Sequence, residues 1–170
     1  KLEYGDIVVI ASTIVAKSEG QIFRLEDITP TDRAVTIANK NRFSPPFVQA
    51  VLDRSRECLV DSPIMLVETY NGNVCINAGL DDSNIENGFI LDLPENPDAS
   101  AEHIGLHLQN LTGKHIGVVI TDTNGRAFKT GQTGVAVGLY KIPAIKNWRG
   151  KKDLYGHALE ITEEAIADEI

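Results

Sequence analysis

The chain has 170 residues, with 16 Lys+Arg against 24 Asp+Glu and a formal net charge of −8. Its 42% apolar and 24% charged residues are a globular composition, which excludes a disordered or collagen-like chain. The negative balance excludes a basic groove for nucleic acid, and no apolar run approaches the ~20 residues that span a bilayer.

Two cysteines, Cys58 and Cys75, are too few for a disulfide framework. With no signal peptide in the sequence, they predict a cytoplasmic protein that contacts no membrane. The length suits one domain or two small ones. Lys1 is not Met and Ile170 falls inside a helical pattern, so the expectation is a piece of a longer polypeptide, incomplete at both ends.

In chain order, Asp6–Ala11 (DIVVIA) reads as a buried strand, followed by a polar turn at Ser12-Thr13 and one or two helical turns to Gly20. Helices are expected at Thr31–Asn39 and Phe47–Cys58, with Pro30 and the pair Pro45-Pro46 near their starts. Strands are expected at Ile64–Glu68, Asn73–Asn77 and Gly88–Leu93. Ser100–Leu111 has a helical apolar pattern, with Ser100 as its N-cap. His115–Thr121 (HIGVVIT) is a second buried strand, running into a turn at Asp122–Gly125. Gly131–Leu139 reads as a strand with close backbone approaches. Lys141–Gly156 is a basic loop and Glu163–Ile170 a final helix. Alternating helix and strand signals predict a mixed-sheet α+β fold.

Three places join a strand end to polar groups. Beyond the first strand, a helical turn sets Thr13 and Lys17 on one face, and with Ser12 they offer two hydroxyls and an ammonium to a phosphate. An ordinary capped helix with a solvated lysine is the alternative. At Asn77–Asn84 (NAGLDDSN) two acids and an amide follow a glycine turn, and one carboxylate there could hold a hard cation. Asx-rich turns also arise simply because Asp and Asn bond their own backbone. At Ile120–Arg126 (ITDTNGR), Asp122 emerges from a buried strand with the Thr123 hydroxyl beside it. Asn124-Gly125 could equally be a plain hairpin turn. Taken together, a basic and hydroxyl cluster with two acidic strand ends is what a metal–nucleotide site requires. His103 and His107 have metal-ligand spacing but no third partner in sequence. The Lys146–Lys152 cluster around Trp148 fits either an acidic substrate tail or a solvated loop.

The segments VVIASTIVAKSEG (8–20), VCINAGLDDSN (74–84), ITDTNGRAFKTGQTGVAVG (120–138) and RGKKDLYGHALEITEEAIADEI (149–170) resemble the coenzyme F420-0:γ-glutamyl ligase family in the same order over nearly the whole chain. The resemblance implies a two-subdomain α+β fold, with 1–170 covering most of it and the boundary between subdomains left open. It implies an intertwined homodimer using GTP and Mn²⁺ or Mg²⁺ to join L-glutamate to the terminal carboxylate of coenzyme F420-0. A γ-linked second glutamate would follow, and each ligation would pass through an acyl phosphate.

By the same resemblance Asp81 and Asp122 match metal-binding aspartates, with Thr123 at a second metal, and Ser12, Thr13, Lys17 and Asn84 match positions that contact GTP. No side-chain nucleophile is implied. The family also has residues before Lys1 and after Ile170, including a Gly-rich segment near the C-terminus. Between Glu68 and Cys75 this chain has Thr-Tyr-Asn-Gly-Asn-Val where relatives are richer in His and Gly. The competing expectations are a non-catalytic nucleotide- or deazaflavin-binding module and a different metal-dependent phosphoryl-transfer enzyme.

Overall fold

Four helices and ten strands, described by a computed structural model for all residues Lys1–Ile170, give a mixed α+β fold. The first part of the chain forms β1 (Ile7–Ala11), α1 (Ser12–Ser18), β2 (Ile22–Arg24), α2 (Asp32–Lys40), α3 (Pro45–Asp53), β3 (Ser55–Val60), β4 (Leu66–Thr69), β5 (Val74–Ile76) and β6 (Phe89–Leu91). The remainder forms α4 (Pro97–Thr112), β7 (Gly117–Gly125), β8 (Gln132–Tyr140), β9 (Lys146–Asn147) and β10 (Glu163–Glu164). No helix is long and apolar enough to cross a membrane. The chain divides into two compact units, one of residues 1–10, 97–121 and 134–170, the other of 11–96 and 122–133.

In the first unit β7 lies between β1 and β8, and its Val118, Val119 and Ile120 are fully buried. The same unit holds α4, in which a Cβ at Gly105 would lie 2.2 Å from the Tyr140 ring. Only glycine permits that approach of helix to strand. The helix begins at Pro97 rather than Ser100, because proline is well suited to a first helical position and Asp98 adds a favourable charge in that turn. The segment expected as a final helix instead contributes β10, which pairs antiparallel with β9 at Glu163↔Asn147 and Glu164↔Lys146. Trp148 follows β9, with the Lys146 ammonium 4.0 Å from the ring centroid and the Lys151 ammonium at 5.1 Å. Its indole N–H donates to Glu164 Oε2 at 2.9 Å, so the basic cluster is tied into this hairpin.

The second unit contains the main apolar core, in which Ala34, Ile37, Val48, Val51, Met65 and Val67 are buried together. The Thr31 side chain accepts from Ala34 N at the start of α2, and Ala34, Ile37 and Ala38 form its buried face at helical spacing. Ser44 accepts from Phe47 N at the start of α3. That helix ends at Asp53, five residues short of the sequence expectation, because Ser55–Val60 pairs with β4 to become an edge of the β3-β4-β5 sheet. Strand β2, too short for a periodic signal, pairs with β6 through Phe23↔Ile90.

Candidate functional site

All seven residues singled out from the sequence lie in the second unit. Asp122 belongs to β7, which continues through the expected turn as far as Gly125. Because strand side chains alternate, Asp122 and Asn124 share one face while Thr123 points to the other and is exposed. Asn124 is only 6% exposed, and its Nδ2 lies 3.5 Å from Asp122 Oδ2.

Ser12 is 2% exposed. It opens α1 immediately after β1, yet no side chain caps that helix. The Ser12 hydroxyl instead donates to Asp122 Oδ1 at 3.0 Å. Both oxygens of Asp122 are therefore held by neighbouring donors. Thr13 is half-buried in the next position, and one turn on, Lys17 Nζ donates to the Asn84 carbonyl oxygen at 2.6 Å. The structure thus brings together Ser12 with Asp122 and Lys17 with Asn84.

Asp81 is reached through a backbone that L-residues rarely adopt. Asn77, Ala78 and Gly79 have φ of 54°, 57° and 75° in succession. A left-handed conformation costs a non-glycine residue roughly 1–2 kcal/mol. It is stabilised here by Asn77 N donating to Met65 O at 2.8 Å, by the burial of Ala78, and by reciprocal backbone bonds between Asp81 and Leu91. The Asp81 carboxylate accepts from Ser83 N at 2.8 Å and from the Ser83 hydroxyl at 2.7 Å.

Electrostatics set this acid pair apart. Burial pushes the Asp122 carboxyl above the usual carboxylate range. The Ser12 hydroxyl and the Thr123 backbone N–H oppose that rise, and the Asp81 charge adds to it. Neither Asp81 nor Asp122 has an ion-pair partner among the salt bridges of the chain. On β5, burial and then the Asp122 charge raise the Cys75 thiol to about 11, so it stays protonated at neutral pH. No group of three or more His, Cys, Asp and Glu side chains is assembled anywhere in the chain. Two uncompensated carboxylates without a full protein cage fit a hard divalent cation whose other ligands are water and phosphate oxygens.

A sequence profile described as F420-0:gamma-glutamyl ligase matches residues 1–170. The chain belongs to this family. Among curated relatives named coenzyme F420:L-glutamate ligase, the Methanosarcina mazei protein is 62% identical over 99% of this chain and 66% of its own length. The Archaeoglobus fulgidus protein is 50% identical over 100% of this chain and 68% of its own length. The Methanocaldococcus jannaschii protein is 44% identical over 99% and 68%. The chain therefore spans about two thirds of the length of these members of the F420-0:γ-glutamyl ligase family.

In this family member the structure gives one expected site residue a partner that was not legible in sequence, and adds one residue that was not legible at all. Ser12 reads in sequence as a nucleotide contact, and its buried hydroxyl is directed at Asp122 as well. Asn124 reads as a turn residue, and only the i, i+2 spacing from Asp122 on an extended strand could have marked it. His103 and His107 are both exposed on α4 and gather no third ligand.

Proposed function

We propose that this chain carries the nucleotide- and metal-binding part of a GTP-dependent ligase that joins L-glutamate to the terminal carboxylate of coenzyme F420-0 and then adds a γ-linked second glutamate. The observation that carries the reading is the acid pair Asp81 and Asp122, lacking any cationic partner, in a chain that matches the ligase family from end to end. Asp81 and Asp122 would hold Mn²⁺ or Mg²⁺, with Thr123 at a second ion. A bound divalent ion supplies charge neutralisation on phosphate oxygens.

The chain's own residues supply the rest by placement. A carboxylate is a poor acyl donor until its oxygen attacks the γ-phosphorus of GTP, forming an acyl phosphate and releasing GDP. Lys17 stabilises negative charge on the phosphates, helped by its anchoring at Asn84, while Thr13 offers a hydroxyl in the same turn. Ser12 contributes to the nucleotide site and, through its bond to Asp122, keeps that carboxylate turned toward the cation position. The glutamate amine then attacks the acyl carbon, its C–O bond to phosphate breaks, and inorganic phosphate leaves with a proton lost from nitrogen. Positioning and electrostatics provide the rate, without a nucleophilic side chain. A homodimer in the cytoplasm completes the reading.

The test is GDP release by the full-length protein with GTP and Mn²⁺, with and without F420-0 and L-glutamate. Release that requires both, with a product one glutamate heavier, is the expected result. Turnover of GTP that ignores glutamate would indicate another phosphoryl-transfer enzyme. Binding without turnover would indicate a nucleotide- or deazaflavin-binding module.

A further inference from the structure

A cavity of about 510 Å³ with a mixed polar and apolar lining lies within the second unit, walled by Arg54, Tyr70, Ala78, Asp92, Leu93 and Glu95 among others. Its size is in the range of small-molecule sites. Its basic group is immobilised. The Arg54 guanidinium stacks on the Phe23 ring at 4.1 Å, donates through Nη1 to the Ala50 carbonyl oxygen at 3.0 Å and pairs through Nε with Asp92. Its Nη2 has no protein partner, which leaves two donors fixed in direction at the cavity wall.

The acceptors are equally defined. Asp92 is neutralised by Arg54, while the Glu95 carboxylate and one oxygen of Asp53 have no bonded partner. The hydroxyl of Tyr70, on an exposed side chain, is also free. Leu93, Pro94 and Ala78 add apolar wall between these poles. With one cation against three carboxylates, the lining repels phosphates, so neither a nucleotide nor a phosphodiester suits it. Free donors at one place and free carboxylates at another complement a molecule that itself carries both signs.

We propose that this cavity binds the head group of a zwitterionic α-amino acid, its carboxylate on Arg54 Nη2 and Tyr70 and its ammonium between Glu95 and Asp53. On the ligase reading, upon which this identification rests, the amino acid is L-glutamate, whose methylenes lie along Leu93 and Ala78. The location suits that role, because Ala78 of the cavity wall belongs to the left-handed turn that leads directly to Asp81.

The experiment is calorimetric titration of L-glutamate into the full-length protein, alongside glutarate, which lacks the ammonium. It is repeated with Glu95→Gln and Tyr70→Phe, two exposed positions where folding is preserved, and with Arg33→Gln in the separate cavity beside α2 as a control. We expect glutamate to bind, glutarate to bind at least about tenfold more weakly, and both cavity variants to lose about tenfold in glutamate affinity, with Arg33→Gln unchanged. The KM for glutamate should rise in parallel while that for GTP stays fixed. Equal binding of glutarate, or glutamate affinity unmoved by both cavity variants, overturns the proposal. Ligation with an unmoved glutamate KM sinks the cavity assignment and leaves the ligase reading standing. Glutamate binding that the variants weaken, in a protein that ligates nothing, supports the cavity and sinks the ligase.

Discussion

Two regions of the second unit obey opposite rules. Around Met65 and Val67, helices α2 and α3 pack apolar faces onto the β3-β4-β5 sheet, and each helix start is capped by a hydroxyl. Around Asp122, a buried serine hydroxyl is turned to a carboxylate that burial holds above its ordinary range, the Asp81 charge adds to that rise, and neither acid has a cationic partner. The first region is what the chain needs to fold. The second carries an electrostatic cost that a cation from outside the chain would offset, which is why it points to binding.

This contrast can be broken or sharpened by substitution. Met65→Ala should destabilise the protein by about 2–5 kcal/mol, the range for emptying a closed core site, while leaving Mn²⁺ affinity unchanged in the folded protein. Chemical denaturation and metal titration read the two effects separately. Asp122→Asn should reverse that pattern, lowering metal-dependent GDP release at least about 100-fold by loss of an anionic ligand.

Asp122→Asn should also stabilise the cation-free protein at neutral pH, and the sign follows from burial. A carboxyl held above its ordinary range binds its proton more tightly folded than unfolded. Its contribution is fully present below the usual carboxylate range and is lost as pH rises through the raised value. Melting temperatures from acid to neutral pH should therefore fall less steeply in the variant, and added Mn²⁺ should restore stability only to the unsubstituted protein. A variant that melts identically at every pH would remove the electrostatic half of the comparison.

Ser12→Ala tests orientation alone, because the Asp122 charge remains. Metal affinity should fall by about tenfold, and the loss should appear in the metal requirement before it appears in the rate at saturating metal. Smallest of all, Thr31→Ala removes the α2 cap and should cost about 1 kcal/mol of stability with no functional change, measurable as a shifted denaturation midpoint.

The sequence made the ordinary region nearly transparent. Pro30 and the pair Pro45-Pro46 near the starts of helical runs marked α2 and α3, and HIGVVIT marked the start of β7. Local signals failed where pairing with distant residues decided the outcome. Ser55–Val60 continues a helical pattern but has β4 as a partner, and Glu163–Glu164 pairs with β9 instead of extending a helix. Asp122–Asn124 reads locally as a turn because its Asx and Gly composition suits one, while the structure keeps it extended. For the candidate site, residue types were legible and partners were not. Asp81, Asp122 and Lys17 stood out by chemistry, but the bond from Ser12 spans 110 positions of chain and has no local signature.

The chain's one tryptophan gives the molecule a built-in optical reporter with a narrow field of view. Trp148 lies beside two ammonium groups and bonds Glu164, so its emission registers the hairpin of β9 and β10 in the first unit. Far-ultraviolet ellipticity draws instead on the helices of both units, α1, α2 and α3 in the second and α4 in the first. Emission and ellipticity followed through one denaturation therefore compare one local hairpin with the helices of the whole chain, and superimposable curves would demonstrate a single cooperative transition.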